Sequence, residues 1–403
     1  MERSQNGHTL VELVVVILIF SVVTTLITVS FNRIVGSASQ VTKSAETDIG
    51  GIIGLELLRS DLESAGFGLP WSLPGGLQYQ ETPKDPSDSP MVSGYPGTLP
   101  SDFNDRPDDT PPSAPRAYIS GDNVGYNGSD YLVLKGTAVG MNSTCRSWSY
   151  LNYSSVFVPK QSRSEVELTP GQGGRVVVIK NTVNKAGIMD RQLVTDGPGS
   201  AVFMAVFDGS ISSNFLPKNR EESYQVYGVS DGNTSSLSFP YNRADYFLSR
   251  PDDISKVCAK KTAVLYKALM PHNGIASVRY PLQDCVADLQ VIFLMATNGD
   301  GIVDQHLSDL SRLAPGGKVS AEQLRDQLRE IRVYILAQQG KKDPLYQYPL
   351  DQLPIVVGDA GMDKALGRTL GSSWNEAAMA RLDPEWRHFH WKVYSIVVQP
   401  KNL

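Results

Sequence analysis

The chain is 403 residues long, enough for one large domain or two moderate ones, and its 41% hydrophobic and 20% charged content is that of a folded globular protein. A formal net charge of −5 and a pI near 5.6 leave no basic footprint of the kind nucleic acid requires. Cys145, Cys258 and Cys285 are too few to fix a compartment, and their odd number leaves one thiol over in a monomer.

The N-terminus reads MERSQNGHTLVELVVVILIF, a polar start running into an apolar stretch. From Leu13 to Asn32 there is no charge, and about 20 such residues carry a helix across a hydrocarbon core. No small-residue cleavage site of the secretory kind follows the run. Glu12 sits at its edge. An isolated carboxylate inside a bilayer costs about 2.5–3.5 kcal/mol on insertion scales, so this one requires a partner. The plainer reading is a carboxylate complementing the positive end of the helix dipole.

The stretch Gly7-His8-Thr9-Leu10-Val11-Glu12-Leu13 resembles the type IV prepilin signal, G-F-T-L-x-E-L, with His8 where the family has Phe. The resemblance implies that a prepilin peptidase cuts between Gly7 and His8 on the cytoplasmic side, removing Met1–Gly7 as a leader, and that the new amine of His8 is methylated. It also implies that Glu12 is an assembly residue, neutralised in a filament by the freed amine of a neighbouring subunit, since a paired charge in an apolar bundle is far cheaper than a lone one. A subunit at the extreme tip has no neighbour above it to supply that amine, so Glu12 argues for a place below another subunit. Residues 8–32 then form a single-pass anchor in the bacterial inner membrane, with the remainder in the periplasm or beyond.

The helix is expected to continue as an amphipathic half over 33–66. Val35, Ala38, Val41, Ala45, Ile49, Ile52, Ile53, Leu57, Leu58, Leu62 and Ala65 recur at three- and four-residue steps. Gly50, Gly51 and Gly54 weaken its middle by about 1 kcal/mol each relative to alanine, and Gly66, Gly68 and Pro70 end it. Residues 67–403 form the globular part. Its Pro-, Gly- and Asp-rich segment 70–116 reads as a solvated loop.

Beyond that loop, β-type runs recur between turn signals. Strands are expected at YLVLKG from Tyr131, SVFVP from Ser155, RVVVIK from Arg175, AVFMAVF from Ala201 and YQVYGV from Tyr224. Others follow at TAVLYKAL from Thr262, ASVRY from Ala276 and ADLQVIFLMA from Ala287. SAEQLRDQLRE is a helix with a Ser320–Gln323 capping box, leading into IRVYILAQ from Ile331, and WKVYSIVVQP closes the sheet. The fold class is α+β: a long N-terminal transmembrane and amphipathic helix packed on a mostly antiparallel β-sheet domain. LELLRSDLESAGFG, SDYLVLKG, CVADLQVIFLMATNGDGIVD and the closing KVYSIVVQPKN are similar to PilW-type minor pilins.

Three constellations carry chemical readings. Asn298, Asp300, Gly301 and Asp304 match the third, fifth, sixth and ninth places of a calcium loop, whereas Ala296 and Leu307 cannot ligate at the first and twelfth; a polar hairpin turn explains the same residues. Cys258 and Cys285 bracket two expected strands and can pair in an oxidising compartment. His388 and His390 flank Phe389 in an expected strand and so share a face. No G-x-S-x-G, H-E-x-x-H, phosphate loop or dinucleotide fingerprint occurs, and the chain is read as not an enzyme.

The resemblance implies a minor pilin of a type IV pilus that primes assembly or sits in the tip complex, with surface adhesion and motility as the pilus functions it serves. Its implied partners are the prepilin peptidase, the major pilin, other minor pilins and the assembly platform. A type II secretion minor pseudopilin uses the same anchor, and a membrane-tethered periplasmic ligand-binding or enzymatic domain is the reading from another class.

Overall fold

The computed structural model describes residues 10–77, 79–82, 99–105, 114–153, 173–183, 187–207, 211–232, 236–272, 277–310, 319–363 and 368–403. Gly7, His8 and the strand expected from Ser155 lie outside them. Leu10–Ser64 is one helix, α1, whose 55 residues extend about 80 Å at 1.5 Å per residue. It stops where glycine allows the chain to turn: Gly66 and Gly68 take φ of 86° and 70°, and the Gly66 N–H donates to Lys135 O at 2.8 Å.

The C-terminal half of α1 lies on a sheet that is antiparallel throughout. In spatial order its strands are β1 (Tyr118–Gly121), β2 (Tyr131–Gly136), β8 (Asn242–Ser249), β9 (Ala263–Leu269), β10 (Val278–Met295), β12 (Leu328–Gln339) and β15 (His390–Val398), with β11 (Gln305–Leu307) paired to the end of β10. A second antiparallel sheet runs β3 (Trp148–Asn152), β7 (Ser223–Ser230), β4 (Gly174–Val183), β5 (Met189–Leu193), with β6 (Met204–Phe207) also on β4. A hairpin, β13 (Ile355–Asp363) and β14 (Arg368–Trp374), and two short helices, α2 (Ala321–Gln327) and α3 (Glu376–Leu382), complete the α+β architecture.

Period-two alternation places the core on both faces of the central strands. Ile331, Val333, Ile335 and Ala337 of β12 join Leu289, Val291 and Phe293 of β10 beneath Leu58 and Leu62 of α1. On the far face, Leu336 and Ala287 pack with Trp374, Met379, Trp386 and Trp391 around the hairpin and α3. Double coverage explains why residues 291–296, VIFLMA, at the end of ADLQVIFLMA are an unbroken apolar run, all buried. It belongs to a single 18-residue strand with the residues from Val278, the two being joined through register shifts around Gln283 and Cys285 where a break was expected.

Segment 70–116 departs from expectation. Its described parts alternate exposed turns with buried anchors: Gly75, Gly76, Gln80 and Asp102 are exposed, whereas Leu73, Leu77, Tyr79 and Phe103 enter the main core, and Glu81, Asp105 and Arg116 are buried with them. Trp71 and Ser72 extend along the edge of β5, the Trp71 N–H donating to Arg191 O at 2.8 Å. Buried charges compensate one another here. Lys135 bridges Glu81 at 2.7 Å and Asp105 at 2.8 Å, Arg116 pairs with Asp105 at 2.7 Å, and Arg243 joins Glu81 at 2.9 Å to Asp245 at 2.7 Å. Three cations thus face three carboxylates, which makes burial tolerable. The loop composition correctly signals irregular backbone, but it does not reveal that the polar residues are core ligands for one another.

Candidate functional site

Residues Leu10–Thr28 of α1 form a span long and apolar enough to cross a membrane, and none of them is buried in the isolated chain. At 1.5 Å per residue these 19 residues cover roughly the 30 Å of a hydrocarbon core. Three hydroxyls within the span bond inside the helix: Ser21 donates to Ile17 O at 2.6 Å, Thr25 to Ser21 O at 2.8 Å and Thr28 to Thr24 O at 2.8 Å. Glu12 lies in the first turn of α1.

The other half of the helix is seated on the domain through small residues. A Cβ added at Gly54 would stand 2.3 Å from Leu282 O, so β10 touches the helix backbone there. Next to it Leu55, Leu58, Leu62 and Ala65 bury one stripe. Ile52 and Ile53, expected on that stripe, are 59% and 67% exposed. The seat is rotated because Gly51 and Gly54, rather than the isoleucines, face the strand.

Polar contacts fix the seat. Asp61 is buried on α1 and receives Lys267 Nζ from β9 and the Tyr246 hydroxyl from β8. Burial raises the Asp61 carboxyl above the usual carboxylate range, against the opposing charge of Lys267. The Tyr118 hydroxyl donates to Leu62 O at 2.8 Å, satisfying one of the helix's terminal carbonyls. Lys401 pairs with Glu63, and Asn402 Nδ2 donates to Glu63 O at 2.8 Å, so the chain end also reaches α1. These residues were not singled out in the sequence; Asp61 within an apolar helix stripe is the signal that marks them.

The remaining sequence candidates are dispersed. Asn298, Asp300 and Asp304 sit in the turn joining β10 to β11. There Asn298 Nδ2 donates to Asp300 Oδ2 at 3.0 Å, the Ile302 N–H donates to Asp300 Oδ1 at 2.7 Å, and Asp304 accepts the Thr297 and Asn298 N–H groups at 2.9 and 3.1 Å. These bonds lower the Asp304 carboxyl, that from Thr297 most. Among the described residues no three His, Cys, Asp or Glu side chains gather as a metal site. Cys258 and Cys285 form a disulfide, and Cys145 is a buried thiol that burial pushes up to about 11. His388 ends a 3-10 turn, Trp386–His388, rather than lying in a strand; just before it the Glu385 N–H donates to Asp383 Oδ1 at 2.8 Å. His388 Nδ1 lies 2.8 Å from Tyr346 O, and His390 stacks on the Tyr346 ring at 3.7 Å.

Residues 3–28 match the family model described as the prokaryotic N-terminal methylation motif. No curated protein matches the chain, and no solved structure matches it. The N-terminus therefore carries a prepilin-type signal, which supports a pilin- or pseudopilin-like protein.

Proposed function

We propose that this chain is a minor pilin of a type IV pilus, of PilW type, cut after Gly7 by the prepilin peptidase and held in the inner membrane until it enters a filament. The observation carrying this reading is that the methylation motif at residues 3–28 opens a continuous 55-residue helix, bare over its first 19 residues and seated on a sheet domain at its other end. The bare part is a membrane segment that becomes filament core, and Glu12 supplies the carboxylate a neighbouring amine neutralises. The domain beyond residue 66 faces the periplasm, where the Cys258–Cys285 disulfide is stable. Its work is structural: priming assembly or forming part of the tip complex with other minor pilins, the major pilin and the assembly platform.

Mass spectrometry of the mature N-terminus in strains with and without the peptidase tests the first step. A chain starting at methylated His8 only when the peptidase is present is the expected result. A chain starting at Met1 or Glu2 in both strains would return it to the tethered-domain class. Crosslinking from the processed form then separates type IV pilus partners from those of a type II secretion pseudopilus.

A further inference from the structure

On the face of the sheet away from α1 lies a cavity of about 380 Å³, within the range that holds small ligands. Its walls come from four places: the loop after β1, the segment following Cys258, the end of β14, and α3. It shares no residue with the helix seat, and an inference from it stands whether or not the pilin reading does.

Each wall is anchored from behind. The Trp374 indole N–H donates to Asp288 Oδ2 at 2.8 Å, and the Ser372 hydroxyl donates to the same carboxylate. Asp288, 1% exposed, also takes Gln290 Nε2 at 3.0 Å. Across the cavity, the Asn123 N–H donates to Asp130 Oδ1 at 2.8 Å, while the other Asp130 oxygen accepts the Val291 N–H at 2.8 Å. Asn127 Nδ2 donates to Lys261 O at 2.9 Å, tying that loop to the next wall. The third wall is fixed by the Cys258–Cys285 disulfide and three successive backbone bonds. Ala259 N–H reaches Gln338 Oε1 at 2.7 Å, Lys260 N–H reaches Asp383 Oδ2 at 2.9 Å, and Lys261 N–H reaches Leu382 O at 3.2 Å.

Backbone strain converges on the same place. Among the described residues, the non-glycine residues with left-handed φ are Asn123 at 57°, Asn127 at 60° and Cys285 at 57°. Two line the cavity, and the third is the cysteine that pins its third wall. Such conformations cost on the order of 1 kcal/mol or more each and persist where the surroundings hold groups in a set geometry.

The groups presented define a ligand. Lys261 and Arg381 line the cavity with exposed side chains, and among the described residues neither is paired with a carboxylate. Arginine's planar fork fits a carboxylate in two-point fashion, and lysine adds a second charge. Ser373 and the two asparagines offer hydroxyl and amide groups, donors and acceptors together, and Trp374 contributes an aromatic wall. An anionic group on a small body bearing several hydroxyls and an apolar face matches that set. We propose that this cavity binds an acidic saccharide, with its carboxylate at Lys261 and Arg381, its hydroxyls on Ser373 and Asn123, and its C–H face against Trp374.

The full chain, purified in detergent, is titrated calorimetrically with glucuronate, galacturonate, N-acetylneuraminate, glucose and inorganic phosphate. Saturable binding of at least one acidic sugar is expected, with glucose and phosphate each at least tenfold weaker. Lys261→Ala and Arg381→Ala are each expected to weaken that binding at least tenfold while leaving the melting temperature unchanged, because both side chains are exposed. Equal binding of phosphate would overturn the saccharide part and equal binding of glucose the ionic part. No saturation by any acidic sugar, or binding indifferent to both variants, would overturn the proposal whole.

Discussion

His272 shows how one buried side chain sets a pH dependence. Its ring lies 4.3 Å from that of Phe239, Nε2 is 3.3 Å from Asn242 Oδ1, and Nδ1 has no hydrogen-bond partner among the described residues. Burial pushes its pKa down to about 4. The folded chain therefore keeps it neutral while the unfolded chain takes up a proton near its ordinary value of 6.5. The stability this supports is complete above that value and is lost as pH falls from 6.5 towards 4, below which both states are protonated. Asp61, Asp130 and Asp288, all raised by burial, push in the opposite direction on acidification, so the total slope does not isolate the histidine. His272→Gln does isolate it. Urea unfolding at pH 7 and pH 4.5 is expected to show the variant losing about 2–3 kcal/mol less stability than the parent chain; parallel losses in the two proteins would refute the assignment.

At the scale of elements, glycines in α1 separate what periodicity can read from what it cannot. Propensity counts Gly50, Gly51 and Gly54 as weak points. The structure makes Gly54 a contact, with Leu282 O where its Cβ would be, whereas a Cβ at Gly51 would meet only the end of the Gln283 side chain at 3.3 Å. Gly54→Ala is therefore expected to cost about 1–3 kcal/mol through overpacking, and Gly51→Ala to be neutral or to stabilise by up to about 1 kcal/mol; thermal melts of the pair check this, and equal effects would contradict it. The same distinction governs how much of the fold was legible. YLVLKG, RVVVIK, TAVLYKAL and the C-terminal strand were readable because apolar runs between turn signals suffice, and the Ser320–Gln323 capping box stands as expected. β8 was missed because Arg243 and Asp245 interrupt its apolar residues, although both are buried and pair with each other. The β13–β14 hairpin and α3 were missed because neither carries a long enough periodic run to declare itself. Of the candidate site, the motif and apolar span were legible from local sequence. The seat of α1 and the walls of the cavity were not, because they are made by residues far apart in the chain.

The molecule as a whole is closed by charge as much as by apolar contact. Lys135 lies 54 residues from Glu81 and 30 from Asp105, and Arg243 lies 162 residues from Glu81, so these pairs tie segment 70–116 to β2 and β8 of the main sheet. Burial alone would raise the Asp105 carboxyl, but the charges of Lys135 and Arg116 hold it well below the usual range. Such a group is balanced rather than merely attractive: desolvating six charges is expensive, and the arrangement survives because every charge meets its opposite. Its stabilising worth therefore cannot be counted pair by pair. Lys135→Met removes one cation from between two carboxylates and leaves the buried group with an unmatched negative charge, which is expected to cost about 3–5 kcal/mol. Adding Glu81→Gln restores the balance of charge while keeping side-chain volume, and the double variant is expected to recover part of that loss. A double-mutant cycle by denaturant unfolding reads the coupling directly. If Lys135→Met alone costs less than about 1 kcal/mol, in the range of exposed pairs, water reaches the group and segment 70–116 is not the buried closure described above. A large single cost with positive recovery in the double variant means that the segment least regular in sequence is held in place by the most polar part of the core.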